Sequence, residues 1–123
     1  MGALARDISR GGVSAGTSQA INGGVATALT AAGTAITDAL DLNATINVIG
    51  TCAAGAGVQL YSMQVGDQME VYNGGANACK VYPESATVAI NQLSVGTAMS
   101  LAVNTGCKFR KVSATQVVAY LSA

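Results

Sequence analysis

Apolar and polar residues alternate through most of the chain beyond its first quarter. Leu40, Leu42, Ala44, Ile46 and Val48 alternate with Asp41, Asn43, Thr45 and Asn47. A period of two over such a run predicts a half-buried strand with the apolar set facing in. Thr51–Gly57 is a small-residue loop, and Val58 and Leu60 open a second short strand. After the Val65-Gly66-Asp67 turn, Met69 and Val71 fall on one face, with Gln68, Glu70 and Tyr72 on the other. Further strands are predicted at Ala78–Tyr82, Thr87–Ile90, Val95–Val103 and Val117–Leu121. Pro83, the only proline, ends one of them because it has no ladder donor.

Two loops read as hairpin turns. Asn73–Asn77, NGGAN, contains residues that tolerate positive φ. Pairing across it sets Val71 against Cys79, Glu70 against Lys80 and Met69 against Val81, so apolar meets apolar and opposite charges meet. Asn104-Thr105-Gly106 reads as a three-residue hairpin loop, setting Val103 against Cys107 and Leu101 against Phe109. The alternation breaks at Lys111-Val112, which predicts a bulge or a strand end. Seven or eight short strands at this spacing, with short connections, predict an all-β fold: a small antiparallel β-sandwich or barrel over residues 34–123. No repeat of fixed period stands out.

Residues 1–33 read differently. They hold seven of the fifteen glycines and only three charges, Arg6, Asp7 and Arg10. Glycines at this density break helices longer than two turns, so the segment is expected to be an extended N-terminal arm. It carries Ile8, Val13, Ile21, Val25 and Leu29, which suit an arm that orders by lying on a neighbouring chain.

Composition narrows the chemistry. The chain is half hydrophobic, but mostly through Ala and Val, with one Phe and no Trp. Such a core buries little area per residue, which favours burial against partner chains. Formal net charge is zero and 10% of residues are charged, so no basic footprint for nucleic acid is present. Lys108, Arg110 and Lys111 are expected to form a solvated strand edge. No apolar run approaches the roughly 18 residues of a membrane span, and the N-terminus lacks the apolar core of a secretory signal. Three cysteines, Cys52, Cys79 and Cys107, without a CxxC pair, read as buried thiols of a reducing compartment.

Histidine is absent, which excludes Ser-His-Asp and Cys-His arrangements. Asp67 and Glu70 flank a turn and read as turn capping and a solvated face. Asp38 and Asp41 lack the loop of a calcium site, and no glycine-rich stretch matches a phosphate loop. An enzyme, a metal site and a bound cofactor are therefore not expected. Exposed tyrosines are more suited to a protein interface than to a base platform, and Tyr61, Tyr72 and Tyr82 are the candidates.

Several segments carry a resemblance: GAGVQL at Gly55–Leu60, Gly66-Asp67, NGGANACKVYP at Asn73–Pro83, INQL at Ile90–Leu93, SATQ at Ser113–Gln116, and the upstream ATALT of Ala26–Thr30. Together they resemble a module widespread among tailed-bacteriophage structural proteins, over residues 26–123. The chain departs from that pattern at Tyr61, where the family often has Pro, and at Val117, where it often has Trp. The resemblance implies a virion protein on the capsid exterior, assembled in the host cytoplasm, that decorates or cements the shell as a homotrimer bound to the major capsid protein. A fibre or adhesin module and a head–tail connector component are the alternatives.

Overall fold

The computed structural model describes residues 24–122, which form ten β-strands. They are β1 Val25–Thr30, β2 Leu40–Asp41, β3 Ile46–Thr51, β4 Gly57–Gln59, β5 Gln68–Asn73, β6 Cys79–Tyr82, β7 Ala89–Ile90, β8 Met99–Leu101, β9 Thr105–Ser113 and β10 Gln116–Leu121. The described residues contain no helix, and the protein is all-β. The strands lie in two sheets, ordered β1-β3-β5-β9-β10-β7 and β2-β4-β6-β8.

The topology departs from an antiparallel sandwich or barrel. β1, β3 and β5 stack in parallel in the larger sheet, and β2, β4 and β6 stack in parallel in the smaller one. Each successive strand crosses to the other sheet, so the first six strands form a β-solenoid-like stack of three turns. Only the last strands close the molecule with antiparallel pairs: β5 with β9, β9 with β10, and β6 with β8.

Both expected hairpins are instead arches that carry the chain between sheets. Asn73 explains the first. Its side chain is fully buried and donates to the carbonyls of Asn77 and Leu101 at 2.9 Å each. Its Oδ1 accepts from Gly75 N at 3.0 Å. One amide thus ties the backbone of the arch itself, at Gly75 and Asn77, to Leu101 of β8. Gly75 allows the tight fit, because a Cβ there would lie 2.7 Å from Cys52 N. In the second arch, Asn104 takes a positive φ of 62°, and its N–H donates to Asn73 O at 2.7 Å.

The long alternation at 40–48 belongs to two strands in different sheets. Its phase changes across the crossover at 43–45: Leu42 faces the core, but in β3 it is Asn47 and Ile49 that point inward. Ile46 and Val48 face outward, contrary to the simple periodic reading. Asn47 is tolerated inside because its Nδ2 donates to Ala44 O (2.8 Å) and Glu70 O (3.2 Å).

The boundary expected after residue 33 is crossed as well. Val25–Thr30 is an edge strand of the larger sheet, paired to β3 with register shifts, so this part of the expected arm belongs to the β domain. Other expectations hold in detail. β6 stops before Pro83, the chain turns after Ile90, and a one-residue register shift in the β9–β10 pair falls beside Val112.

The core lies between the sheets. Ile49, Met69, Val71, Phe109 and Val117 come from the larger sheet, and Val58, Val81 and Leu101 from the smaller one. A buried ion pair sits at its margin. Lys111 Nζ contacts Glu84 Oε1 and donates to Met63 O at 3.2 Å, while Glu84 Oε2 accepts from Met63 N at 2.8 Å. The expected solvated cluster therefore divides. Lys108 and Arg110 are exposed, but on a strand flanked on both sides, and Lys111 is buried.

Candidate interaction surface

The outward face of the larger sheet carries a cross-strand ladder fixed by register. Val25, Ile46, Glu70, Lys108 and Tyr120 lie in one row across β1, β3, β5, β9 and β10. Val48, Tyr72 and Gly106 form the next row. All are outward because strand side chains alternate and the residues between them face the core. Gly106 leaves a gap in its row: a Cβ there would lie 3.5 Å from Tyr72 Cδ1, so the ring leans over bare backbone. Ser122 closes the far side, its N–H donating to Gly106 O (2.9 Å) and its Oγ accepting from Gly106 N (3.0 Å).

The result is an open groove of about 670 Å³, bordered by Tyr72, Tyr120, Glu70, Lys108, Arg110 and Ser122. Tyr72 is 41% exposed and Tyr120 54%. Glu70 and Lys108 are 3.9 Å apart and about half exposed, so their pairing adds only ~0–1 kcal/mol of stability. Arg110 Nη2 donates to Gln68 Oε1 at 3.2 Å. Rings, a carboxylate, two cations and a hydroxyl on a rigid sheet suit noncovalent recognition.

The expected contact residues are scattered. Ile8, Val13 and Ile21 lie outside the described residues. Val25 is 60% exposed, in the same row as Tyr120. Leu29 and Tyr61 pack partly buried against the core. Tyr72 is in the groove. Tyr82 is not an exposed contact: it is buried, and its hydroxyl donates to Thr34 O at 3.2 Å. Tyr72 and Tyr82 would share an outward face only if β5 and β6 were paired, and the two strands lie in different sheets. Sequence reasoning passed over Tyr120 and the Glu70–Lys108 pair. The signal for Tyr120 was alternation in the last strand, where Val117 inward places Tyr120 outward.

Asp67 caps a turn as expected, Glu70 lies on the solvated face, and Asp38 caps a turn that the sequence reading did not assign to it. Asp67 Oδ2 accepts from Gln64 N at 3.0 Å. Asp38 Oδ1 accepts from Ala35 N (2.8 Å) and Thr34 N (3.0 Å), and these two bonds, Ala35 first, hold its carboxyl below the usual value. Among the described residues no three Cys, Asp or Glu side chains gather as a metal site would require. Comparison with protein-family models, with curated proteins and with solved structures finds no match.

Proposed function

We propose that this is a structural virion protein that decorates or cements a bacteriophage capsid, binding the lattice of the major capsid protein as a homotrimer. The observation that carries the reading is the outward face of the six-stranded sheet. Two exposed tyrosines and a charge ladder stand on strands held on both sides, a surface suited to a partner of fixed geometry. The phage-like segments support the same reading: GAGVQL runs from the end of the β3–β4 arch through β4, NGGAN forms the β5–β6 arch, and SATQ spans the β9–β10 turn. Repetition over a symmetric shell would give avidity from modest single contacts.

Two measurements test it. Imaging of purified particles should show this chain in many symmetric copies on or between capsomers; density at one vertex or the tail favours a connector or adhesin. In a capsid-binding assay, the Tyr72→Ala/Tyr120→Ala variant should lose at least about tenfold in affinity, as two truncated interface anchors do, while remaining folded, with a melting midpoint lowered only by the ~0.2–1 kcal/mol that each cross-strand pair contributes. Unchanged binding would remove the groove from the interface. Deleting residues 1–23, which spares β1, tests the arm: full capsid occupancy by the truncated protein refutes an arm-mediated clasp.

A further inference from the structure

We propose that Cys52 and Cys79 form a dithiol that oxidises to an intrachain disulfide, joining two successive arches of the stack. Both thiols are free and buried. Cys52 follows β3 in the arch to β4, and Cys79 opens β6 just after the arch from β5. The arches are stacked and tied together. Asn77 Nδ2 donates to Cys52 O at 2.9 Å, and Lys80 N donates to Ala56 O at 3.1 Å. Cys52 Sγ lies 3.7 Å from the carbonyl oxygen of Ala78, the residue preceding Cys79. The Cys52 side chain is also a direct neighbour of the Cys79 thiol. Cys107 belongs to another environment, on β9 opposite Val71 and Leu121 in the larger sheet.

A disulfide needs Cβ atoms ~3.5–4.5 Å apart and a χ3 near ±90°, and the hydrogen bonds between the two arches hold the Cys52 and Ala78–Lys80 segments against each other. The oxidant class is a small-molecule disulfide such as oxidised glutathione. One protein thiolate attacks a glutathione sulfur and releases the first glutathione thiolate. The second protein thiolate attacks the protein sulfur of that mixed disulfide and releases the second. The protein loses two electrons, and its two thiol protons end on the two glutathione molecules.

Burial, and after it the neighbouring Cys52 thiol, pushes Cys79 well above the usual thiol value. The packed pair is therefore slow to react. Cys52 and Cys79 nevertheless lie one residue beneath exposed Ala53 and Ala78, so opening of the arches, or folding itself, brings the pair to an oxidant. The bridge would pin the second turn of the stack to the third, a staple for a protein that leaves a reducing cell interior.

The full chain is tested in a glutathione redox buffer, in two arms: incubated folded, and refolded from denaturant so that burial cannot block the reaction. The expected product of refolding has a mass lower by two hydrogens, one alkylatable thiol after unfolding, and a peptide map joining Cys52 to Cys79. Its melting midpoint is higher than that of the reduced protein, and Cys79→Ala abolishes the bridge whereas Cys107→Ser retains it. The folded arm reaches the same product more slowly, and faster with sub-denaturing urea. Three alkylatable thiols after oxidative refolding, glutathione capping without ring closure, or a bridge that includes Cys107 each overturn the proposal.

Discussion

Replacing Glu84 by Gln should cost this protein a large part of its stability. Lys111 and Glu84 have side chains only 6% and 7% exposed. The ammonium has two partners, the Glu84 carboxylate and Met63 O, and the carboxylate also holds Met63 N. Glu84→Gln keeps the shape and an oxygen for Met63 N, but leaves a buried ammonium facing a neutral amide. Removing one member of a buried pair costs ~3–5 kcal/mol, against ~5–15 kcal/mol of total stability for a typical domain. At a few degrees per kcal/mol for a domain of this size, the melting midpoint should fall by roughly 10–20 °C. Lys111→Met should cost a similar amount. The double variant, neutral at both positions, should be more stable than the sum of the two losses implies, with a coupling of ~1–3 kcal/mol. Urea denaturation followed by circular dichroism reads all four proteins. A loss under about 1 kcal/mol in both single variants, the range of a surface pair, would refute the assignment of this pair as buried.

Three further outcomes follow from the same geometry. Asn73→Ala removes both donors that hold the carbonyls of Asn77 and Leu101 and the acceptor for Gly75 N; stranded buried groups cost ~1–3 kcal/mol each, so chemical denaturation should show a loss of at least ~2 kcal/mol, and wild-type stability would deny the amide its role in the arch. Asp38 has a folded-state pKa below its ordinary 3.8, so its contribution is complete above that value and disappears as pH falls through the folded-state pKa; acid titration of Asp38→Asn should differ from wild type in neutral solution and converge with it at low pH. Burial pushes Cys107 up to about 11 from 9.0 and raises Cys79 as well. Stability should therefore be intact below about 9 and decline as pH rises through the folded-state values, and Cys107→Ala should flatten that alkaline limb in pH-dependent melting.

The strands themselves were legible because alternation is a local property. Nearly every apolar run became a strand, and Pro83, the Val65-Gly66-Asp67 turn and the break at Lys111-Val112 punctuate the fold where the chain says they should. Pairing was not legible, and the reason lies in two similar runs. Cys79-Lys80-Val81 and Cys107-Lys108-Phe109 both present small apolar, cation, apolar to Met69-Glu70-Val71. Matching acid with base and apolar with apolar accepts either partner. The folded protein pairs Glu70 with Lys108, Val71 with Cys107 and Met69 with Phe109, while Lys80 lies opposite Ser100.

The stack escaped notice for a related reason. Its turns are unequal, stepping from Val25 to Ile46 and on to Glu70 in one sheet, and from Leu40 to Val58 and on to Val81 in the other. A solenoid-like stack needs strands to align in space, and arches of different length keep that alignment without a constant sequence period.

The amino-acid sequence by itself determined that this chain makes β-strands, where most of them begin and end, and that it lacks histidine-dependent chemistry. Tertiary structure alone decided that NGGAN bends as an arch around Asn73, that Lys111 is buried while Lys108 is exposed, that Tyr82 is buried, and that Tyr72 meets Tyr120 across one groove. These outcomes depend on which strands become neighbours, a choice made by the whole core at once, whereas a period of two along the chain reports only which side of a strand each residue occupies.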